Sequence, residues 1–121
     1  MNGTFKPAPL KPAITLAQLE SIDVRVGTIL SVEDVVGSDK LVRLVVDFGD
    51  HQRNILAGLK QERENPGEIT GKQALFVLNL PARKMLGELS EGMLFDIGFA
   101  DGLLPALAVP EVLVPNGARV G

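Results

Sequence analysis

Cysteine, tryptophan and tyrosine are absent from the 121 residues, and histidine occurs once, as His51. Without cysteine there is neither a disulfide framework nor a thiolate metal site, which fits a reducing, cytoplasmic location. One histidine cannot supply a multi-histidine metal centre. His51 follows Gly49-Asp50 and reads as a solvated turn residue rather than a relay member. The only serines are Ser21, Ser31, Ser38 and Ser90, and none lies in a nucleophile elbow. No phosphate-binding loop or dinucleotide fingerprint is present. Neither catalysis nor a cofactor or metal is therefore expected. No apolar run approaches the ~20 residues of a membrane span. The stretch Met1 to Pro12 is polar and proline-rich, without the apolar core of a signal peptide.

What remains is a balanced globular composition, 45% hydrophobic and 22% charged, at a length that suits one domain. Residues 1–13, with Pro7, Pro9 and Pro12, read as an extended arm, and residues 14–121 as the domain. Thr15 and Gln18 have the spacing of a capping box, and Leu16, Leu19 and Ile22 recur at threes. A short helix over Thr15–Ser21 follows.

Beyond it the texture is β. Strands are predicted over Val24–Val36, Lys40–Phe48, Arg53–Ala57, Gln73–Leu80 and Met93–Phe99, with shorter ones over Leu103–Val109 and Val112–Val114. Gly27 inside the first suggests a bulge or bend. In the second, Val42, Leu44, Val46 and Phe48 alternate as a core face. In the fourth and fifth, Ala74, Phe76, Leu78 and Leu80, and then Met93, Phe95, Ile97 and Phe99, do the same. Gly58–Thr70 reads as a polar connection with a helical turn before Pro66, Pro81–Gly92 as a charged loop, and Asp101-Gly102 as a hairpin turn. The architecture expected is all-β: a five-stranded OB-fold barrel with a short N-terminal helix and a C-terminal extension of short strands.

The formal charge of −3 is unevenly spread. Residues 51–84 hold Arg53, Lys60, Arg63, Lys72, Arg83 and Lys84, whereas Arg119 is the only cation from Met85 onward. One end of the barrel is thus basic, or the surface is simply mixed. The five phenylalanines fall mostly on apolar strand faces. Stacking platforms for single strands are not expected, and a folded RNA read by shape and backbone does not need them.

Four segments carry a resemblance. Asp23–Ile29, Ser38–Leu41 with Val45, Asp47, Phe48 and Gly49, and Arg53–Leu59 are similar, in order, to the first three strands of the tRNA-binding domain family. The run Asn79-Leu80-Pro81-Ala82-Arg83-Lys84-Met85-Leu86-Gly87-Glu88-Leu89-Ser90-Glu91-Gly92-Met93 is the most specific, and resembles that family's Asn-Leu…Lys…Gly…Ser-x-Gly-Met signature. Members occur as stand-alone proteins, as the C-terminal domain of some methionyl-tRNA synthetases and in EMAP-like cytokine precursors. The resemblance implies non-catalytic binding to the outer corner of folded tRNA. It also implies a homodimer formed by the N-terminal helix and the C-terminal tail.

The positions it marks as tRNA contacts are Lys40, Arg53, Asn79, Lys84, Ser90 and Met93, with Arg83 as a neighbour. The cations can neutralise phosphates, and the amide and hydroxyl can bond sugar or phosphate. Met93 can give soft apolar contact. Each polar residue also has a structural alternative: Asn79 satisfying a loop backbone, Ser90 capping a turn, Met93 in the core. Arg25 reads as a brace for the barrel. Glu88 and Glu91 flank the cluster and would repel phosphate. The same family includes CsaA-type secretion chaperones, so binding of unfolded export peptides is the alternative function, and partnership with an aminoacyl-tRNA synthetase a third.

Overall fold

The computed structural model describes residues 5–121. Residues 5–15 form neither helix nor strand and are exposed; the first four residues of the expected arm lie outside the described residues. The helix α1 spans Leu16–Glu20. Its capping box is complete: the Gln18 amide donates to the Thr15 hydroxyl at 3.1 Å, and the Thr15 amide to the Gln18 side chain at 2.8 Å.

The strands that follow are β1 (Val24–Asp34), β2 (Val42–Asp47), β3 (Gln52–Ala57), β4 (Gln73–Val77), β5 (Arg83–Met85), β6 (Glu88–Ser90), β7 (Met93–Leu94), β8 (Asp96–Ile97) and β9 (Ala106–Leu107). Five form one antiparallel, curled sheet in the order β3-β2-β1-β4-β7, which is the OB-type architecture. The eleven residues of β1 let its N-terminal half pair with β4 and its C-terminal half with β2. The alternating face of β2 packs inward as expected, and Val42, Leu44, Val46 and Phe48 join Ile29, Ile55, Ala74 and Phe76 in the core.

Gly27 has a different role from the one expected. The register slips at Leu30, between Ile29 and Ser31, not at Gly27. Gly27 is instead a point of close approach: a Cβ there would lie 2.5 Å from Val46 Cγ1 and 2.7 Å from the Phe48 ring. The absent side chain lets β1 cross over the core.

The second half departs further from the sequence-based expectation. Pro81–Gly92 is not a plain loop, because it holds the β5–β6 hairpin. Met93–Phe99 is broken into β7 and β8, and a 3-10 turn over Phe99–Asp101 replaces the expected hairpin turn. Leu94 is buried, whereas Met93, Ile97 and Phe99 are exposed, so that alternating core face does not form. Leu80 is exposed as well. The helical turn beside Pro66 is a 3-10 turn that begins at Pro66, over Pro66–Ile69. Of the short strands expected in the tail, only Ala106–Leu107 forms, paired with β8. The final segment returns along β1: the Gly117 and Val120 amides donate to the Val26 and Val24 carbonyls at 2.8 and 2.9 Å. Among the described residues no helix is long and apolar enough to cross a membrane.

Candidate nucleic-acid interface

A five-stranded sheet closes into a barrel only if its two outer strands meet. Here β3 and β7 are joined by side chains and turns rather than by a ladder. The Leu56 amide donates to the Ser90 hydroxyl at 3.0 Å, and that hydroxyl donates to the Gly92 carbonyl at 3.2 Å. The Glu91 amide donates to the Asn54 carbonyl at 2.9 Å, and the Asn54 amide to the Glu91 carboxylate at 3.2 Å. The Arg53 guanidinium adds bonds to the carbonyls of Leu78 (2.9 Å) and Glu91 (3.0 Å).

Arg53 is also oriented from the turn that precedes its strand. Its Nε–H can only donate, so the His51 Nε2 at 3.0 Å must accept. The proton of a neutral His51 ring then sits on Nδ1, 2.6 Å from the Asp50 carboxylate. His51 is thus a structural link packed on Phe48, with ring centroids 5.6 Å apart. Asn79 has a comparable internal task. Its side chain accepts from the Asp23 amide at 2.8 Å and donates to the Ser21 carbonyl at 2.7 Å, fixing the passage from α1 to β1. Arg25 pairs with Asp23, whose carboxylate holds the guanidinium pKa above its usual value.

This closure carries the β5–β6 hairpin. Its register sets Arg83 opposite Ser90, Lys84 opposite Leu89 and Met85 opposite Glu88. Since strand side chains alternate, Glu88 and Ser90 share the face turned to the barrel, while Lys84 and Leu89 share the outward one. Glu88 is tied by Arg43, which also binds Glu33 on β1. The Arg43 hydrogen bond is the main cause of the low Glu33 pKa, helped by the Ser31 hydroxyl. Arg43 thus holds the Glu88 carboxylate while sharing its charge with Glu33, and the Glu91 carboxylate accepts a backbone amide.

The hairpin tip is Leu86-Gly87, both with positive φ, 51° and 79°. That is the sign pattern of a two-residue type I′ turn. A Cβ on Gly87 would meet nothing within 4 Å, so glycine is there for its backbone alone. Leucine in the left-handed region costs about 1–2 kcal/mol.

The seven expected contact residues thus divide. Lys40, Arg83 and Lys84 are exposed and form no ion pair among the described residues. Met93 is 45% exposed, at the start of β7. Arg53, Asn79 and Ser90 spend their polar atoms on the barrel, and Ser90 is 5% exposed. Arg83 and Lys84 lie together on β5; Lys40 lies on the β1–β2 connection, its carbonyl bonded to the Lys60 amide at 3.2 Å. Sequence reading missed Arg43, whose placement between two acids no local motif signals.

Away from this surface, Glu62 in the β3–β4 connection meets Asp96 of β8. One Glu62 carboxylate oxygen is buried without a hydrogen-bond partner. Burial, then the Asp96 carboxylate, push the Glu62 pKa up to about 7, opposed by Arg63.

A family model described as "Putative tRNA binding domain" matches residues 24–119. The methionine–tRNA ligase of Clostridium acetobutylicum is 36% identical over 121 residues, 99% of this chain but 18% of the ligase. The chain therefore spans under a fifth of that enzyme's length. A MetRS-related protein from Pyrococcus horikoshii superposes with a TM-score of 0.83 at 32% identity, covering 92% of this chain and all of that one. The CsaA chaperone protein from Picrophilus torridus gives 0.77 at 26% identity, covering 90% and 100%. With the signature run on the barrel closure and the family match spanning the barrel and its tail, the chain belongs to the tRNA-binding domain family.

Proposed function

We propose that the chain is a non-catalytic, structure-specific tRNA-binding module that contacts the outer corner of folded tRNA. The observation that carries this reading is the pair Arg83 and Lys84, exposed and without a carboxylate partner among the described residues, on a hairpin braced by Arg43 and Ser90. Lys40 and Met93 extend the contact. Arg53, Asn79 and Ser90 act as its frame, holding the loop and helix junction on which the contacts stand. The cations address phosphates, which gives affinity without base specificity. The reading places the protein in the cytoplasm with the tRNA it binds, in the company of an aminoacyl-tRNA synthetase as the similarity to a methionine–tRNA ligase suggests.

The same reading includes a homodimer. Leu16, Leu19 and Ile22 around α1 and Val112 and Leu113 in the tail are exposed apolar side chains. A cleft of about 420 Å³ between the start of β4 and the tail, lined by Gln73, Val109 and Val112 among others, offers a seat for a second copy.

The test is a titration with total folded tRNA at several salt concentrations, with an unstructured export-type peptide in parallel. Three phosphate contacts, by Lys40, Arg83 and Lys84, give a log–log salt slope of roughly −2 to −3 per chain. Replacing Arg83 and Lys84 together by alanine should weaken binding and shallow the slope by about 2. The second reading, peptide binding, is favoured by the likeness to a CsaA chaperone and by exposed Leu80, Leu86 and Leu89. Peptide capture that survives salt, with no tRNA bound even at low salt, would put it first.

A further inference from the structure

The tip of the β5–β6 hairpin sets residue type against backbone. Two-residue turns with both φ values positive favour Asn-Gly or Asp-Gly, because a short polar side chain tolerates the left-handed region and a leucine does not. Leu86 is the one non-glycine residue with positive φ among the described residues. Burial does not compensate it: the side chain is 63% exposed. Close by, Leu89 is 49% exposed and stands across the hairpin from Lys84. Folding gains nothing from a strained leucine held in water, and strain that persists in this way concentrates where a ligand is met.

We propose that Leu86, with Leu89 beside Lys84, forms an apolar wedge that packs on the face of a base or base pair left unstacked at the surface of a folded RNA. This rests on the tRNA-binding reading and adds to it the group the hairpin tip recognises. The chemistry favours RNA as the occupant. A base plane is flat, apolar and bordered by phosphates, so its complement is an apolar side chain with a cation beside it. The hairpin offers that combination: Lys84 shares a face with Leu89 and forms no ion pair among the described residues, and Glu88, the acid next to the tip, lies on the opposite face, tied to Arg43. The Arg43–Glu88 pair and the β6–β3 contact also hold the tip in place before binding, which limits the ordering cost on contact.

Leu86→Asn separates contact from fold, because asparagine suits the turn better and removes the apolar side chain. Measured against folded tRNA across salt, it should weaken binding roughly tenfold. The salt slope should match the wild type, since no phosphate contact is lost. Thermal unfolding of the same variant should shift up by about 3 °C as the strain is relieved. Leu86→Met should keep affinity within about twofold. Lys84→Ala should instead weaken binding and reduce the slope by about 1. Unchanged affinity of Leu86→Asn, with wild type bound, overturns the wedge and leaves the tRNA reading intact. A changed salt slope in Leu86→Asn overturns it as well, since the hairpin would then have moved. No binding of wild type to folded tRNA at low salt removes the tRNA reading and the wedge with it.

Discussion

Removing the Ser90 hydroxyl leaves the Leu56 amide without its acceptor on an edge that no strand covers. Ser90→Ala should cost about 1–3 kcal/mol, the penalty of an orphaned buried donor, read from urea unfolding, while the salt slope of tRNA binding stays as in wild type. Arg53→Ala should cost about 1.5–3 kcal/mol, because two backbone carbonyls lose a charged donor. A slope shallower by about 1 in that variant would show instead that Arg53 touches phosphate. Residue types were legible here and their partners were not. Asn79 was a candidate for either role, and its partner, the amide of Asp23, lies 56 positions away, where no local motif signals it. The exposure of Lys84 and Arg83 follows from their charge alone and needed no partner to be foreseen.

Among the elements, β1 crosses closest to the core where Gly27 approaches Phe48. Gly27→Ala would force a Cβ to 2.5 Å from Val46, and overpacking of this kind costs typically about 1–3 kcal/mol; thermal unfolding would register it as a lower Tm. Elements with strong local signals matched expectation. The capping pair Thr15 and Gln18 fixed the start of α1, and alternation in Val42–Phe48 fixed the inward face of β2. The hairpin at Arg83–Ser90 was illegible because three-residue strands show no periodicity and its stability comes from Arg43 and β3. Past Leu94 the apolar alternation misled, since β8 pairs only with β9 and leaves Ile97 exposed.

At the level of the whole molecule, burial and then the like charge of Asp96 on β8 disfavour the charged form of Glu62 in the β3–β4 connection. Its folded pKa, about 7, lies above the ordinary 4.5. Between those values the folded state holds more protons than the unfolded one, so stability falls as pH rises. Glu62→Gln should therefore raise Tm at pH 8, change it little at pH 4.5, and flatten the profile between. For the assembly, sedimentation equilibrium should give twice the chain mass, and Leu113→Glu in the tail should shift it to monomer without lowering Tm by more than the loss of the partner entails. The fold class and the family were legible, the family match spanning residues 24–119; the way the barrel closes was not, because it rests on side chains reaching across the strand edge.

That closure has a further consequence. An uncovered strand edge is a template on which another chain can add itself, and proteins that expose one tend to aggregate. The backbone groups of Asn54 and Leu56 would be such a template if Ser90 and Glu91 did not occupy them. The segment that supports the β5–β6 hairpin is thus also the molecule's guard against self-polymerisation, and a variant that loosens it should lose solubility on storage before it loses secondary structure.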